Sequence, residues 1–432
     1  MEVFELTEET RQEVRQRMLA RNPANYREQQ SAVDEILASV REKGNEALFA
    51  FTEKFDGIRL TPETIEVTEP EIDEACRTVD PKLIGVIREA LVNIRGFHEK
   101  QIRQSWFSTT EEGTILGQRI TPIERVGVYV PGGKAAYPSS VLMNIVPARV
   151  AGVKEIVMTT PCGRDGKVNP AVLVAAREAG ADRIFKAGGA QAIAAMAYGT
   201  TCIPKTDKIV GPGNIYVALA KKAVYGNVSI DSVAGPSEIL VLADDSANPR
   251  YVAADLLSQA EHDEMASAVL VTTSRKLADG VQEEIGGFLK KLSRAGIIRK
   301  SLDRFGFILV AKSMDDAIDA VNQIASEHLE IVTENPFETM TKVKNAGAIF
   351  LGTWSSEPLG DYFAGPNHIL PTNGTARFFS PLSVDDFVKK SSVIHYSRDA
   401  LRAVHENIEQ FAKCEGLTAH ANSIAVRFED EE

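Results

Sequence analysis

The sequence has little cysteine, no long apolar run and no surplus of basic residues. Its cysteines are Cys76, Cys162, Cys202 and Cys414, with no Cys-x-x-Cys pair, so a disulfide scaffold is excluded and we expect reduced thiols in a cytoplasmic protein. No stretch of eighteen apolar residues occurs, and the acidic N-terminus lacks the apolar core of a signal peptide. A net charge of −12 lacks the basic footprint of a nucleic-acid-binding protein.

What is present is an ordinary globular composition with an α/β pattern. With 432 residues, 44% of them hydrophobic, the chain is long enough for two or three domains, and disorder is excluded as its main state. Residues 1–25 are predicted as a polar helical arm, and helices dominate up to about residue 104. From residue 120 short apolar strands alternate with helices, which predicts parallel sheets. A last helix is expected near 398–415 and a last strand over 423–428.

The predicted fold class is therefore α/β, with two incomplete Rossmann-like units, small helical terminal segments, and the second unit inserted in the first. The predicted domains are the N-terminal arm (1–25), a first α/β domain with the metal and acid–base residues (26–129 plus 238–381), an inserted NAD-binding α/β domain (130–237), and a C-terminal dimer-exchange segment (382–432).

Glycine-rich turns join a strand to a helix at three places, after Val130, Ala187 and Val210. Glycine lets the backbone approach a ligand, and helix N-termini favour phosphate, so these turns suggest a nucleotide site. The Gly-x-Gly-x-x-Gly fingerprint is incomplete, because Tyr216 stands where the third glycine belongs. Three ordinary turns remain an alternative, with Asn214 as a simple helix cap.

Candidate metal and acid–base residues fall in three polar segments. Gln259 and His262 share a face late in a predicted helix and offer two metal ligands, although a solvated helix end is the plainer interpretation. Glu327-His328 lies between a helix and a strand, where an acid–base pair is plausible but a chance dipeptide is equally ordinary. The irregular stretch 360–368 contains Asp361 and His368, and either a site or a turn-rich surface loop fits it.

The remaining candidates are single residues. A nucleophilic thiol is conceivable in an enzyme that oxidises aldehydes, and Cys414 lies in a predicted helix, where a lone cysteine usually packs. His98 lies beside an apolar helical stripe and is expected to be structural. His395 and His405 are given no role.

Taken together, these segments resemble the histidinol dehydrogenase family over roughly residues 30–428. Eight motifs occur in the family's order: VGVYVPGG (126–133), AGGAQAIAAMAYGT (187–200), IVGPGNIYVALAKKAVYG (209–226), AGPSEILVLAD (234–244), LLSQAEHD (256–263), SEHLEI (326–331), GDYFAGPNHILPTNGTAR (360–377) and EGLTAHANSIAVR (415–427). Any one of them alone would say little, whereas the ordered set is specific.

The resemblance implies a four-electron oxidation of L-histidinol to L-histidine through L-histidinaldehyde, with two NAD+ and one Zn2+ per subunit. It also implies a homodimer whose terminal segments complete the partner's site. The implied zinc ligands are Gln259, His262, Asp361 and, from the other subunit, His420. Glu327 and His328 would be the acid–base pair. Ser237, His368 and Glu415 would contact substrate beside His328 and the zinc ligands, and Tyr129, Gln191 and Asn214 would contact NAD.

In the scheme that the resemblance implies, zinc orients the amine and imidazole of histidinol. His328 takes the hydroxyl proton as hydride leaves, and Glu327 then activates water to hydrate the aldehyde. Glu415 pairs with a charged substrate nitrogen, and no cysteine is needed. Two rivals remain: a zinc- and NAD-dependent relative that acts on another amino- or sulfo-polyol, and a non-catalytic metal- or nucleotide-binding protein. The Glu327-His328 pair speaks against the second.

Overall fold

The computed structural model describes residues 1–21, 26–132 and 137–429. The chain forms two compact units, one from Met1–Gln101 with Ile123–Phe387 and the other from Ile102–Pro122 with Val388–Glu432. The described strands are β1 (Glu2–Glu5), β2 (Trp106–Thr109), β3 (Ile115–Pro122), β4 (Arg125–Tyr129), β5 (Glu155–Thr159), β6 (Arg183–Phe185), β7 (Lys208–Val210), β8 (Ser229–Ile230), β9 (Glu238–Ala243), β10 (Ser267–Thr272), β11 (Gly306–Val310), β12 (His328–Val332), β13 (Ala348–Leu351) and β14 (Val388–His395).

The helices between them are mostly short. In the described residues they are α1 (Glu8–Leu19), α2 (Arg27–Lys43), α3 (Asn45–Asp56), α4 (Glu69–Thr78), α5 (Pro81–Glu99), α6 (Pro138–Ala151), α7 (Pro170–Ala179), α8 (Gly189–Tyr198), α9 (Ile215–Val224), α10 (Pro249–Ala260), α11 (Arg275–Phe288), α12 (Ala295–Phe305), α13 (Met314–Ile324), α14 (Pro336–Met340), α15 (Glu357–Tyr362), α16 (Arg398–Arg402), α17 (His405–Cys414) and α18 (Thr418–Ala425).

The first unit contains two parallel sheets with the same strand order. One runs β6-β5-β4-β7-β8, and the other runs β11-β10-β9-β12-β13 with β1 added beside β11. The central strand is β4 in the five-stranded sheet and β9 in the six-stranded sheet. From each central strand the chain adds two strands on one side and then two strands on the other. This is the order of a doubly wound nucleotide-binding sheet, so the predicted α/β class with Rossmann-like units is confirmed.

Helices cover both faces of both sheets. Alternate residues along each strand therefore pack into different hydrophobic cores. In the five-stranded sheet, Val126 and Val128 pack with α5–α7, while Tyr129 packs with α2, α8 and α9. In the six-stranded sheet, Ile239 and Val241 pack with α10–α12, while Leu240 and Leu242 pack with α1 and α13. Burial on both faces explains why these strands read as continuous apolar runs.

Several predicted elements differ from the structure. The N-terminal arm is not purely helical, because Glu2–Glu5 form a parallel edge strand before α1; predicted residues 22–25 lie outside the described part of the chain. Strand β4 and the helices α2–α5 pack with the five-stranded sheet, whereas the sequence assigned 26–129 to the other domain. The expected strand over 423–428 is wrong, since α18 occupies Thr418–Ala425.

The second unit, as far as its described residues go, is a small antiparallel sheet with the helices α16, α17 and α18. Its strand order is β14-β3-β2, so a segment near residue 110 pairs with one near residue 390. The sequence suggested a C-terminal segment from residue 382 but gave no sign of this distant partner, because antiparallel pairing between remote strands leaves no local pattern. No helix among the described residues has the length and apolarity needed to cross a membrane.

Candidate active site

A cavity of about 800 Å³ lies in the first unit and gathers most of the predicted residues. One wall comes from loops at the carboxyl ends of β4 and β7, with Pro131, Gly132, Pro212, Gly213 and Asn214. The other comes from segments at the amino ends of β9, β10 and β12. The residues on that side include Ser237, Gln259, His262, Glu327 and His328, joined by Asp361 and His368.

Glu327 and His328 lie where α13 turns into β12. Helix α13 ends at Ile324, the following Ala325 adopts a left-handed conformation with φ of 55°, and the chain then enters the strand at His328. Both side chains are buried, at 8% and 3% exposure. A non-glycine residue with positive φ stores backbone strain, and such strain tends to concentrate at functional sites.

Glu238, the first residue of the neighbouring strand β9, contacts both side chains through its main chain. The backbone N–H of Glu238 donates to Glu327 Oε2 at 2.8 Å, and the Glu238 carbonyl lies 3.0 Å from His328 Nδ1. Nδ1 faces two groups of opposite kind, because the Glu238 carbonyl can only accept a hydrogen bond and the Gln259 amide nitrogen, 3.2 Å away, can only donate one. Nε2 is buried without a hydrogen-bond partner among the described residues, 3.6 Å from Asp361 Oδ1. This nitrogen is positioned to act as a base.

The electrostatics of the pair depend on burial and on Asp361. Burial raises the pKa of Glu327 to about 8. Burial opposes the charged form of His328, but the carboxylates of Glu327 and Asp361 outweigh it and raise the pKa of His328 to about 10. Burial also opposes ionisation of Asp361, yet His328 and His368 hold the pKa of that carboxyl at about 2. Asp361 is therefore an anion aimed at the base.

Three predicted metal ligands lie on this side of the cavity. Gln259 belongs to the last turn of α10, and its Oε1 is buried without a hydrogen-bond partner in the described residues, while its Nε2 lies 3.2 Å from His328 Nδ1. His262 follows the helix and opens to the cavity, and the loss of bulk solvent around its ring lowers its pKa. A neutral imidazole and an unpaired amide oxygen beside the carboxylate of Asp361 suit a divalent cation.

The structure also gathers carboxyl groups that the sequence did not single out. His328, Glu357 and Asp361 each offer a ligand atom within 4.8 Å of the others. The backbone N–H of Glu357 donates to Glu330 Oε1 at 2.7 Å. Burial and neighbouring carboxylates raise the pKa of Glu357 to about 8 and that of Glu330 well above its ordinary value. The sequence did contain one signal for this cluster, because Glu330 is a charged residue among the apolar residues Leu329, Ile331 and Val332 of β12.

The predicted NAD contacts lie at the carboxyl edge of the five-stranded sheet. Tyr129 ends β4, and its hydroxyl oxygen accepts from the Gly189 N–H at 3.1 Å; burial raises its pKa to about 12. Gln191 is buried in α8, with no partner for Nε2 among the described residues. Asn214 Oδ1 accepts from the N–H groups of residues 216 and 217 at 3.1 and 3.2 Å, so it does cap α9. Tyr129 and Gln191 are not among the cavity-lining residues.

One glycine of these turns is required by its surroundings. Gly211 has φ of 116°, and a Cβ on it would lie 2.0 Å from the Tyr129 carbonyl oxygen. Such close packing leaves the β4 and β7 ends side by side. This is the point where the strand order reverses, the usual ligand position in such sheets.

The remaining predicted residues divide between the two units. His368 is half-buried in the first unit, with Nδ1 3.0 Å from the Asp361 carbonyl and Nε2 3.5 Å from Ser140 Oγ. Ser237 immediately precedes β9 and lines the cavity. Glu415 and His420 belong to the second unit, where Glu415 follows α17, His420 lies in α18, and both are exposed. No cysteine is among the described residues that line the cavity.

Sequence reasoning missed Arg21. This residue follows α1, is fully buried, lines the cavity and forms an ion pair with the Glu238 carboxylate. No motif marks it, because a single arginine in a polar helical arm carries no pattern of its own.

Comparison with known proteins identifies the family. The family model described as histidinol dehydrogenase matches residues 19–428. A histidinol dehydrogenase of Halalkalibacterium halodurans is 58% identical over 93% of this chain and 95% of its own, and one from Geobacillus kaustophilus is 56% identical over 93% and 94%. The crystal structure of histidinol dehydrogenase from Elizabethkingia anophelis superposes with a TM-score of 0.89 at 40% identity, covering 93% of this chain and 92% of that one.

These matches run over both units and include every segment that lines the cavity. The chain is therefore an enzyme, an oxidoreductase that belongs to the histidinol dehydrogenase family.

Proposed function

We propose that this enzyme oxidises L-histidinol to L-histidine through L-histidinaldehyde, with two NAD+ and one substrate-orienting Zn2+ per subunit, in the last steps of histidine biosynthesis in the cytoplasm. The observation that carries the proposal is a single cavity. It joins a buried Glu327-His328 pair and three metal-ligand side chains to the glycine-rich ends of a doubly wound sheet. The named relatives support the substrate.

The helix termini around the cavity suit the two proposed cofactors. Crossover helices run against their parallel strands, so α8 and α9 begin at the carboxyl edge of the five-stranded sheet, where their N-termini favour a pyrophosphate. Helix α10 ends at the amino edge of the six-stranded sheet, and the negative end of its dipole favours a cation near Gln259 and His262.

Gln259, His262 and Asp361 would hold the zinc, with His420 of a second subunit as the fourth ligand. The unpaired, buried Oε1 of Gln259 is the observation that fits a metal there. The bound metal supplies ligand positions for the amine and imidazole of histidinol, which fixes the alcohol relative to the base. A cation bound by Asp361 would remove that carboxylate's share of the rise in the pKa of His328, to which Glu327 makes the largest single contribution.

The proton steps belong to the buried pair. As hydride leaves the alcohol carbon for the first NAD+, the neutral form of His328 accepts the hydroxyl proton at Nε2, and the aldehyde forms. Glu327, in its ionised form, removes a proton from water as the water oxygen bonds to the aldehyde carbon. After His328 and Glu327 have released their protons to solvent, the hydrate passes a second hydride to the second NAD+ while His328 accepts a hydroxyl proton, and loss of the remaining acid proton to solvent yields the carboxylate. Tyr129, Gln191 and Asn214 would hold each NAD+ in turn.

Around the substrate, Ser237 and His368 would complete the pocket, and Glu415 of a second subunit in a homodimer would pair with the charged substrate nitrogen. No thiol takes part in these steps. Converting both Cys162 and Cys414 to alanine should therefore leave turnover within about twofold of the unmodified enzyme, and a folded, inactive double variant would refute the water-based scheme.

The test is the amount of NADH formed per histidinol, measured with metal-free enzyme and after zinc is added. Two NADH per histidinol, formed only with metal, is the expected result. One NADH would mean that the aldehyde leaves and that the role of Glu327 is wrong. Bound zinc with no NADH from histidinol would move the assignment to a relative that oxidises another amino- or sulfo-polyol.

A further inference from the structure

We propose that Arg21 is a positioning residue for catalysis: acting through Glu238, it holds Glu327 and His328 in their working geometry. The N-terminal helix α1 is then part of the active-site framework. This inference rests on the proposed roles of Glu327 and His328, and it concerns a residue that touches neither of them.

The first link is a buried, multiply anchored guanidinium group. Arg21 has 0% exposure; it forms an ion pair with the Glu238 carboxylate, and its Nε donates to the Met18 carbonyl at 3.2 Å. Its Nη1 donates to the Met265 carbonyl at 3.0 Å, at the end of the segment that carries His262. A planar guanidinium can serve three acceptors in fixed directions, which a lysine ammonium on a flexible stem cannot reproduce.

The second link is the main chain of Glu238. Its N–H donates to Glu327 Oε2 at 2.8 Å, and its carbonyl oxygen lies 3.0 Å from His328 Nδ1. The Glu238 side chain is itself buried, and besides Arg21 it accepts from the Asn373 N–H at 3.2 Å. Any rotation of this residue at the start of β9 would therefore displace both members of the acid–base pair at once.

Loss of Arg21 would leave a buried carboxylate without its counter-ion, which the chain relieves by moving Glu238 or admitting water. A shift of about 1 Å in a catalytic group costs on the order of 100-fold in rate. The expected damage is in kcat rather than in NAD+ binding, because the predicted NAD contacts lie on the other sheet. A purely fold-stabilising ion pair would instead lower thermal stability and leave kcat of the folded enzyme unchanged.

The central experiment is Arg21→Ala in the zinc-loaded, full-length enzyme, assayed with histidinol and NAD+ with and without guanidinium chloride at millimolar concentration. Arg21 lines the cavity, so the space that its side chain leaves is open to a small cation. We expect kcat to fall about 100-fold, with KM for NAD+ within twofold, and guanidinium to restore kcat at least tenfold while urea at equal concentration does not.

Matched variants keep the test decisive. Arg17→Ala is the control: it removes the exposed ion pair between α1 and Glu2 and should leave kcat unchanged. If Arg21→Ala does not fold, Arg21→Lys preserves the charge but not the three-way geometry, and we expect about a tenfold loss in kcat. Glu238→Gln should lose kcat similarly and gain nothing from guanidinium.

Two results would overturn the proposal: unchanged kcat in a folded Arg21 variant, or a kcat loss that guanidinium does not reverse although the thermal midpoint matches that of the unmodified enzyme. The unmodified enzyme in the same assay separates this outcome from failure of the proposed function. If that enzyme itself forms no NADH from histidinol, the function is at fault and not the positioning role.

Discussion

The two parallel sheets share one strand order but present opposite edges to the cavity. The five-stranded sheet contributes its carboxyl edge, with the loops after β4 and β7 and the N-terminus of α9. The six-stranded sheet contributes its amino edge, with the first residues of β9 and β12 and the end of α10. Identical topology therefore serves two chemistries: one edge suits an anionic nucleotide, and the other suits a cation and an acid–base pair.

The largest effect should follow from removing the base at the amino edge. His328→Gln keeps a polar side chain but cannot accept the hydroxyl proton, so we expect kcat to fall by about 10² to 10⁴-fold. The affinity for NADH, measured by the fluorescence of the bound cofactor, should remain within twofold of that of the unmodified enzyme, because the predicted NAD contacts lie at the other edge. A parallel loss of NADH binding would contradict the division between the edges.

A smaller effect should follow from removing a metal ligand. Gln259→Leu is close in volume but loses the unpaired Oε1, and we expect zinc affinity to fall by about 10- to 100-fold, measured by competition with a chelating dye. Gln12→Leu, at an exposed position of α1, is the control and should leave zinc affinity unchanged. Equal zinc affinity in the unmodified enzyme and in both variants would mean that Gln259 is not a zinc ligand.

At the carboxyl edge, Asn214→Ala should weaken both the α9 cap and NAD+ binding. We expect a stability loss of about 1 kcal/mol and a rise in KM for NAD+ of about five- to tenfold. Asn169 makes the matched control, because its side chain caps α7 in the same way, at 2.9 Å from the Ala171 nitrogen, without lining the cavity. Asn169→Ala should lower stability by a similar amount and leave KM for NAD+ unchanged. A rise in KM in both variants would mean that lost stability, and not a lost NAD+ contact, causes the effect.

The smallest effect concerns the buried carboxyls behind the amino edge. Burial raises the pKa of Asp255 to about 6, so the folded state binds this proton more tightly than the unfolded chain. The stabilisation is complete below the unfolded pKa near 4 and is lost as pH rises through about 6. Asp255→Asn should therefore match the stability of the unmodified enzyme at pH 4 and be the more stable protein at pH 8. Thermal unfolding at both values checks this; an advantage at pH 4 as large as at pH 8 would contradict it.

The sequence predicted the α/β class because short apolar strands alternate with helices along the chain. It identified the segments around Gln259, His328 and Asp361 through local motifs. It did not predict β1, whose four residues carry no apolar alternation, or the pairing of β3 with β14, which joins distant parts of the chain. Arg21 and Glu330 also escaped prediction, because their importance lies in contacts made only after folding.

The most direct test of the two-edge account is a crystal structure of the enzyme with zinc and NAD+, with the metal located by anomalous scattering. The account predicts zinc at about 2.0–2.2 Å from Gln259 Oε1, a His262 ring nitrogen and an Asp361 oxygen. It also predicts the NAD+ pyrophosphate at the N-termini of α8 and α9. Zinc held by Asp255 and Glu330, or NAD+ at the carboxyl edge of the six-stranded sheet, would contradict it.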